Sequence, residues 1–241
     1  MMEKNEFSRR QLLRKSAEKT VAATLVTVAG VPFAQGASFP VTPPQAEGPF
    51  YPVEDQIDKD ADMTQREGHE QRAEGEIFFL QGRVINTVTG APISGALVEL
   101  WQACATGKYQ HPDDPNPAAL DPHFQYWVQV RTDAQGHFDV KTIIPGAYPA
   151  DDDWMRPPHI HVKVHATGFP SLTTQFYFAG HPLNDRDFVL QRLTPEQRVL
   201  VMPPRNDGQL VTRWDIFLLP RSHGSLTREE VRNRISITPE L

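Results

Sequence analysis

Twenty-two prolines are spread along the 241 residues of this chain, against 15 glycines, and no other feature restricts its fold so strongly. A proline inside a helix removes a hydrogen bond and clashes with the preceding turn, so frequent prolines disfavour long helices and a helical bundle. Without a Gly-X-Y period the chain is not collagen-like. Its 39% apolar content supplies a core, which excludes a wholly disordered chain and leaves a loop-rich, β-rich globular protein.

The stretches between prolines and turn residues carry strand patterns. Strands are expected at 77–85, 96–101, 126–132, 137–143, 159–165, 173–178 and 213–219, close together and separated by Pro and Gly, the arrangement of a β-sandwich. Only 194–201 reads as a helix, with Thr194-Pro195-Glu196 as its cap and first turn. Residues 37–76 are polar and proline-rich, with Pro40, Pro43, Pro44, Pro49 and Pro52, and are expected to form an extended arm along the body. The chain thus divides into residues 1–36, an arm at 37–76 and an all-β sandwich at 77–241 with little helix.

Residues 1–36 read as an export signal. Ser8-Arg9-Arg10-Gln11-Leu12-Leu13 places paired arginines ahead of a weakly apolar stretch at 21–34, followed by the small-residue exit Ala34-Gln35-Gly36-Ala37. That stretch has 14 residues, whereas a spanning helix needs about 20, so no permanent membrane anchor is expected. The order resembles a twin-arginine signal, which carries folded, cofactor-loaded proteins, and implies a periplasmic destination. Cleavage near Gly36 would take six basic and three acidic residues from a chain of net charge −6, leaving 18 basic, 27 acidic and a mature charge of −9. Such a balance argues against nucleic acid as a partner, because phosphate binding needs clustered Lys and Arg.

The single cysteine, Cys104, permits neither an internal disulfide nor a thiolate zinc cage. Any metal must be held by other side chains. In His159-Ile160-His161-Val162-Lys163-Val164-His165 the strict alternation puts His159 and His161 on one strand face, half of a metal site. His165 shares that face but lies two steps further on. Asp151, Asp152 and Asp153 read as a solvated loop. Tyr109, after Gly107-Lys108, and Tyr148, in the turn Ile144-Pro145-Gly146-Ala147-Tyr148-Pro149, read on their own as loop packing residues. Likewise Arg156 alone reads as a surface ion-pair partner of the three aspartates, and Gln175 as an ordinary strand residue.

Several motifs stand in one order: Leu100-Trp101-Gln102-Ala103 with Gly107-Lys108-Tyr109, Leu120-Asp121-Pro122, Thr132-Asp133-Ala134-Gln135-Gly136, the Tyr148 turn, Arg156-Pro157-Pro158-His159-Ile160-His161, and Thr174-Gln175-Phe176-Tyr177-Phe178. In that order the chain resembles the intradiol ring-cleavage dioxygenases, and among them the catalytic-subunit and single-domain type of protocatechuate 3,4-dioxygenase, from Glu47-Gly48-Pro49-Phe50-Tyr51 to Phe217. The resemblance implies one non-haem Fe(III) per subunit, held by Tyr109, Tyr148, His159 and His161, with Tyr148 and His161 axial and Tyr109 and His159 equatorial. Phenolate is a hard anionic donor suited to a ferric ion, whose charge offsets the cost of ionising a tyrosine.

It also implies O2 and a catechol-type diol as substrates, cleavage between the two hydroxylated carbons to a cis,cis-muconate-type diacid, and an oligomer of identical copies or with a related subunit. Tyr148 would accept a substrate proton, Arg156 would stabilise charge on the ring, and Gln175 would stand beside that arginine. Two features depart from the family's patterns. Ala150 occupies the place where protocatechuate enzymes often carry Trp, and the arm at 37–76 is too short and proline-rich for the helical N-terminal region of catechol and hydroxyquinol enzymes. A non-catalytic transthyretin-like binding module is the alternative, because Gly82-Arg83-Val84 through Gly95-Ala96-Leu97-Val98 resembles that type too. A zinc hydrolase built on the His pair ranks third, for want of a His-Glu-x-x-His helix.

Overall fold

The computed structural model describes residues 39–204 and 211–221. The expected export signal lies outside these residues. Nine strands dominate: β1 (Ile77–Asn86), β2 (Leu97–Trp101), β3 (Trp127–Arg131), β4 (His137–Ile143), β5 (Tyr148–Asp151), β6 (Trp154–Arg156), β7 (His159–His165), β8 (Leu172–Tyr177) and β9 (Val211–Leu218). One α-helix, α1 (Pro195–Val201), and short 3-10 turns at Asn184–Arg186 and Leu190–Arg192 complete the regular structure. Each strand read from the alternation is present within two residues at either end. The β5–β6 hairpin was not expected, because the prolines around Tyr148 read as a plain turn.

Two sheets form the sandwich, in the orders β4-β1-β9 and β3-β2-β7-β8. In the first, β1 pairs antiparallel with β4 and parallel with β9. The second is antiparallel throughout. Alternation decides what each strand places between them: Phe78, Leu80 and Val84 of β1, Val98 and Leu100 of β2, Ile160, Val162 and Val164 of β7, and Trp214, Ile216 and Leu218 of β9 join one buried cluster. Burying one such side chain contributes about 1.5–3 kcal/mol before entropy is counted. Gly82 leaves room for this packing, since a Cβ there would stand 2.0 Å from Cζ of Phe138, its partner across β4.

The period of two that fills this core fixes the opposite face of the second sheet. There the register aligns Trp127, Trp101, His161 and Gln175 across four strands, with His159 beside Tyr177. Residues 39–76 run over the body without joining a named strand. They are pinned by Thr42 N to Phe217 O at 3.1 Å, Gln45 N to Thr173 O at 2.9 Å and Met63 N to Lys141 O at 2.9 Å. Helix α1 has a capping box, Thr194 accepting from Gln197 N while the Gln197 side chain accepts from Thr194 N, and Pro195 occupies its first turn.

Candidate metal centre

His159 and His161 project from β7 into the outer face with their Nε2 atoms 3.2 Å apart. Each has a local reason for its orientation. Nδ1–H of His159 donates to Pro157 O at 2.8 Å, which leaves the Nε2 lone pair facing the cluster. His161 lies flat on the Trp101 indole, ring centroids 4.8 Å apart and planes 10° from parallel. Its Nδ1 is buried without a hydrogen-bond partner.

The two tyrosines arrive on adjoining loops. At Gly107, with φ of +83°, a Cβ would lie 2.3 Å from Ala147 O, and at Gly146 one would lie 2.4 Å from both Ala105 O and Gly107 N. Only a pair of glycines allows these backbones to approach so closely. Tyr109 is fixed from behind by buried Asp114, whose Oδ2 accepts from Tyr109 N at 2.7 Å and whose Oδ1 accepts from Asn116 N at 2.9 Å. Tyr148 starts the β5–β6 hairpin, directly opposite Arg156. The ring centroids of Tyr109 and Tyr148 are 5.3 Å apart, and those of Tyr148 and His159 5.6 Å. Tyr109 Oη lies 3.5 Å from His159 Nε2. All four side chains named from the sequence therefore converge, each at most 5% exposed.

Arg156 corrects the reading made from local sequence alone. It is no surface partner of Asp151, Asp152 and Asp153, which form the exposed turn of the hairpin. Strand β6 directs its guanidinium inward, where Nη2 donates to Asp187 Oδ2 at 2.9 Å, Gln175 Oε1 at 2.8 Å and Tyr177 Oη at 3.1 Å. Nη1 reaches His159 Nε2 at 3.0 Å. The Arg156 and Asp187 side chains are 4% and 0% exposed, so the ion pair is fully desolvated. Burial works against the arginine's charge, and Tyr177, Tyr148 and Asp187 more than offset it, holding its pKa above the ordinary value.

The same surroundings keep the other groups neutral. Burial and the neighbouring Tyr148 hold Tyr109 well above the usual phenol range. Burial raises Tyr148 too, partly opposed by the charge of Arg156. Burial and Arg156 hold both imidazoles well below their usual value. Two neutral imidazoles and two phenols form an uncharged donor set, and a highly charged cation bound there would offset the cost of releasing the phenol protons. Among the described residues no group of three or more His, Cys, Asp or Glu side chains is placed to hold a metal ion. A cation at this cluster therefore needs the tyrosines, and hard phenolate oxygens match a ferric ion better than zinc.

Several supporting residues were not legible beforehand. Asp187 sits in Asn184-Asp185-Arg186-Asp187, a polar run resembling a solvated loop. Asp114 has the same appearance in Pro112-Asp113-Asp114-Pro115. Tyr177 had a usable signal, because strand parity puts it on the face of Gln175. Its hydroxyl donates to Gln175 Oε1 at 2.8 Å and accepts from Gln45 Nε2 at 3.2 Å, tying the arm to the cluster. Gln175 Nε2 in turn donates to Ala46 O at 2.9 Å. Gly48, with φ of +77°, passes over His161, where a Cβ would lie 3.2 Å from Cε1. His165 belongs elsewhere: its Nε2 is 3.2 Å from Glu99 Oε1 and its Nδ1 2.8 Å from Ser171 Oγ.

Comparison with known proteins agrees with this geometry. A family model described as Dioxygenase matches residues 46–220. The chain is 41% identical over 152 residues to the protocatechuate 3,4-dioxygenase beta chain of Burkholderia cepacia, covering 61% of this chain and 63% of that one. It is 32% identical over 164 residues to catechol 1,2-dioxygenase 2 of Acinetobacter lwoffii, covering 61% and 54%. These alignments span about half to two thirds of the relatives' length. Among solved structures, the dioxygenase domain of a dioxygenase and carbohydrate-binding protein fusion from Streptomyces sp. SirexAA-E superposes with a TM-score of 0.56 at 28% identity, covering 75% of this chain and 99% of that one. A family match over most of the chain, on a sandwich whose outer face gathers two histidines and two tyrosines, makes this protein a member of the intradiol dioxygenase family.

Proposed function

We propose that this chain is a ferric intradiol dioxygenase that inserts both atoms of O2 into a catechol-type diol and opens the ring between its hydroxylated carbons to a cis,cis-muconate-type diacid. The observation that carries the reading is the convergence of Tyr109, Tyr148, His159 and His161 in one buried cluster. A transthyretin-like binding module has no need of such a cluster beside a desolvated arginine. The names of the curated relatives, a protocatechuate and a catechol dioxygenase, point to the same chemistry.

The four side chains would hold one iron. When bound, ferric iron draws electron density from an ionised diol and makes its ring reactive toward O2. The rest of the task falls to the protein. Tyr148, ionised while it holds the cation, would accept a proton from the diol at Oη. The Pro157 carbonyl sets the tautomer of His159, and the Trp101 indole fixes the plane of His161. Arg156 presents a permanent positive charge where negative charge develops on the ring, and Asp187, Gln175 and Tyr177 hold it in place.

Purified protein reconstituted with Fe(III) should show a visible tyrosinate charge-transfer band that shifts on anaerobic addition of catechol, and oxygen uptake should yield the muconate-type product. A colourless protein after ferric reconstitution would overturn the assignment. Comparing protocatechuate with catechol tests the ring substituent, since Ala150 in place of a Trp after Tyr148-Pro149 would open or reshape the pocket wall. Export through the twin-arginine signal and assembly with further copies or a related subunit belong to the same proposal. The second is supported by the relative that is itself named a beta chain.

A further inference from the structure

Away from this cluster, two histidines 54 positions apart meet at the surface. Nδ1 of His69, on the arm, lies 3.1 Å from Nδ1 of His123, in the loop before β3. Their ring centroids are 5.4 Å apart, with planes at 77°. We propose that His69 and His123 form a second metal site, a two-imidazole chelate for a divalent late first-row ion, with water completing the coordination.

The spacing suits a chelate. With metal–nitrogen bonds of about 2.0–2.1 Å, two nitrogens 3.1 Å apart subtend about 98° at the metal, between square-planar and tetrahedral angles. Tautomer chemistry points the same way. A direct Nδ1 to Nδ1 hydrogen bond requires one ring to carry its proton on Nδ1, whereas a cation takes both Nδ1 lone pairs and leaves both protons on Nε2.

The frame is built without the metal. Arg66 Nη1 donates to Pro122 O at 3.1 Å, Glu74 N donates to Asp121 Oδ2 at 2.7 Å, and His123 N donates to Asp121 Oδ1 at 2.8 Å. His69 N donates in turn to Arg66 O at 3.1 Å, so both histidine backbones are held before binding, which lowers the entropy lost on closing the chelate. Among the described residues no third His, Cys, Asp or Glu completes the set. The site is thus an open and exchangeable one, and two imidazoles without a carboxylate favour Cu(II) over Zn(II) or Ni(II).

Its position gives the ion something to act on. His69 and Leu120 line a cleft of about 740 Å³, and Leu120 and His123 line a neighbouring one of about 570 Å³. The imidazole pair therefore stands at the wall between them. The larger cleft also contains His111, which contacts Phe50, the ring packed on Tyr109. A bound ion would clamp the arm to the loop before β3.

The test is a titration of Cu(II) into tag-free full chain as purified with its iron, followed by calorimetry and electron paramagnetic resonance. We expect one copper per chain beyond the iron, with splitting from two nitrogens and an unchanged visible iron band. His69→Gln and His123→Gln, both at solvent-accessible positions, should each weaken that binding at least tenfold and leave the iron band intact. Equal copper affinity in both variants, binding only with loss of the iron colour, or no binding beyond the iron would overturn the proposal and leave a hydrogen-bonded imidazole pair. None of these outcomes depends on dioxygenase turnover.

Discussion

Asp187→Asn should be among the most damaging conservative changes available to this protein. The carboxylate is fully buried and its Oδ2 accepts from Arg156 Nη2 at 2.9 Å and from Nε at 3.3 Å, while Oδ1 accepts from Val189 N at 2.8 Å. Asparagine retains the Val189 contact but turns an amide N–H₂ toward a guanidinium that only donates. A buried charge deprived of its partner costs about 3–5 kcal/mol. In a domain of this size each kcal/mol lowers Tm by about 2–4 °C, so the expected fall is about 6–20 °C.

Calorimetry at matched iron content measures it, with Asp185→Asn as an exposed control expected within about 0.5 kcal/mol of the parent. Arg156→Leu combined with Asp187→Leu should recover much of the lost stability, since a buried ion pair replaced by apolar side chains is often neutral or better, yet the double variant should lose turnover. If Asp187→Asn melts like Asp185→Asn, the pair does not carry the stabilisation assigned to it, and Asp187 is not what positions Arg156.

Tyr148→Phe should keep the fold but change the iron colour and lower kcat by about 10²–10⁴-fold, the contribution typical of a positioned proton acceptor; unchanged turnover would reassign that role. His161→Ala should lose iron in a metal analysis, and full iron occupancy would remove it from the ligand set. Tyr51 offers a test in pH. Burial, the hydrogen bond to Glu99 and the charges of Glu99 and Glu47 push its phenol up to about 12 from 10.0. A raised folded-state pKa contributes stability that is whole below pH 10 and is lost as pH rises toward 12, so the difference in Tm between the parent and Tyr51→Phe should shrink across that window. A constant difference would refute it. Replacing Arg9 and Arg10 together by Lys should hold the protein in the cytoplasm, read by cell fractionation; undiminished export would exclude the twin-arginine route.

The fold was readable because its main signal is local. Alternation in His159-Ile160-His161-Val162-Lys163-Val164-His165 states which side chains enter the core, and this strand's share of the core is Ile160, Val162 and Val164. The capping residues of α1 and the turn residues between strands are likewise short-range signals. The β5–β6 hairpin carries no such local signal, because its strands have only four and three residues, with a proline in the first.

The sequence by itself determined that His159 and His161 share a face, that no thiolate cage is possible, and, through motif order, that Tyr109 and Tyr148 belong with them. Tertiary structure alone decided how that set is supported. The glycine contact between 107 and 146 joins the tyrosine loops, Asp114 fixes one of them, and the hairpin turns Arg156 inward to Asp187. These are contacts between segments that carry no mark of each other. A polar aspartate reads the same whether water or a buried guanidinium waits at its end, because burial is a property of the folded neighbourhood and not of the residue.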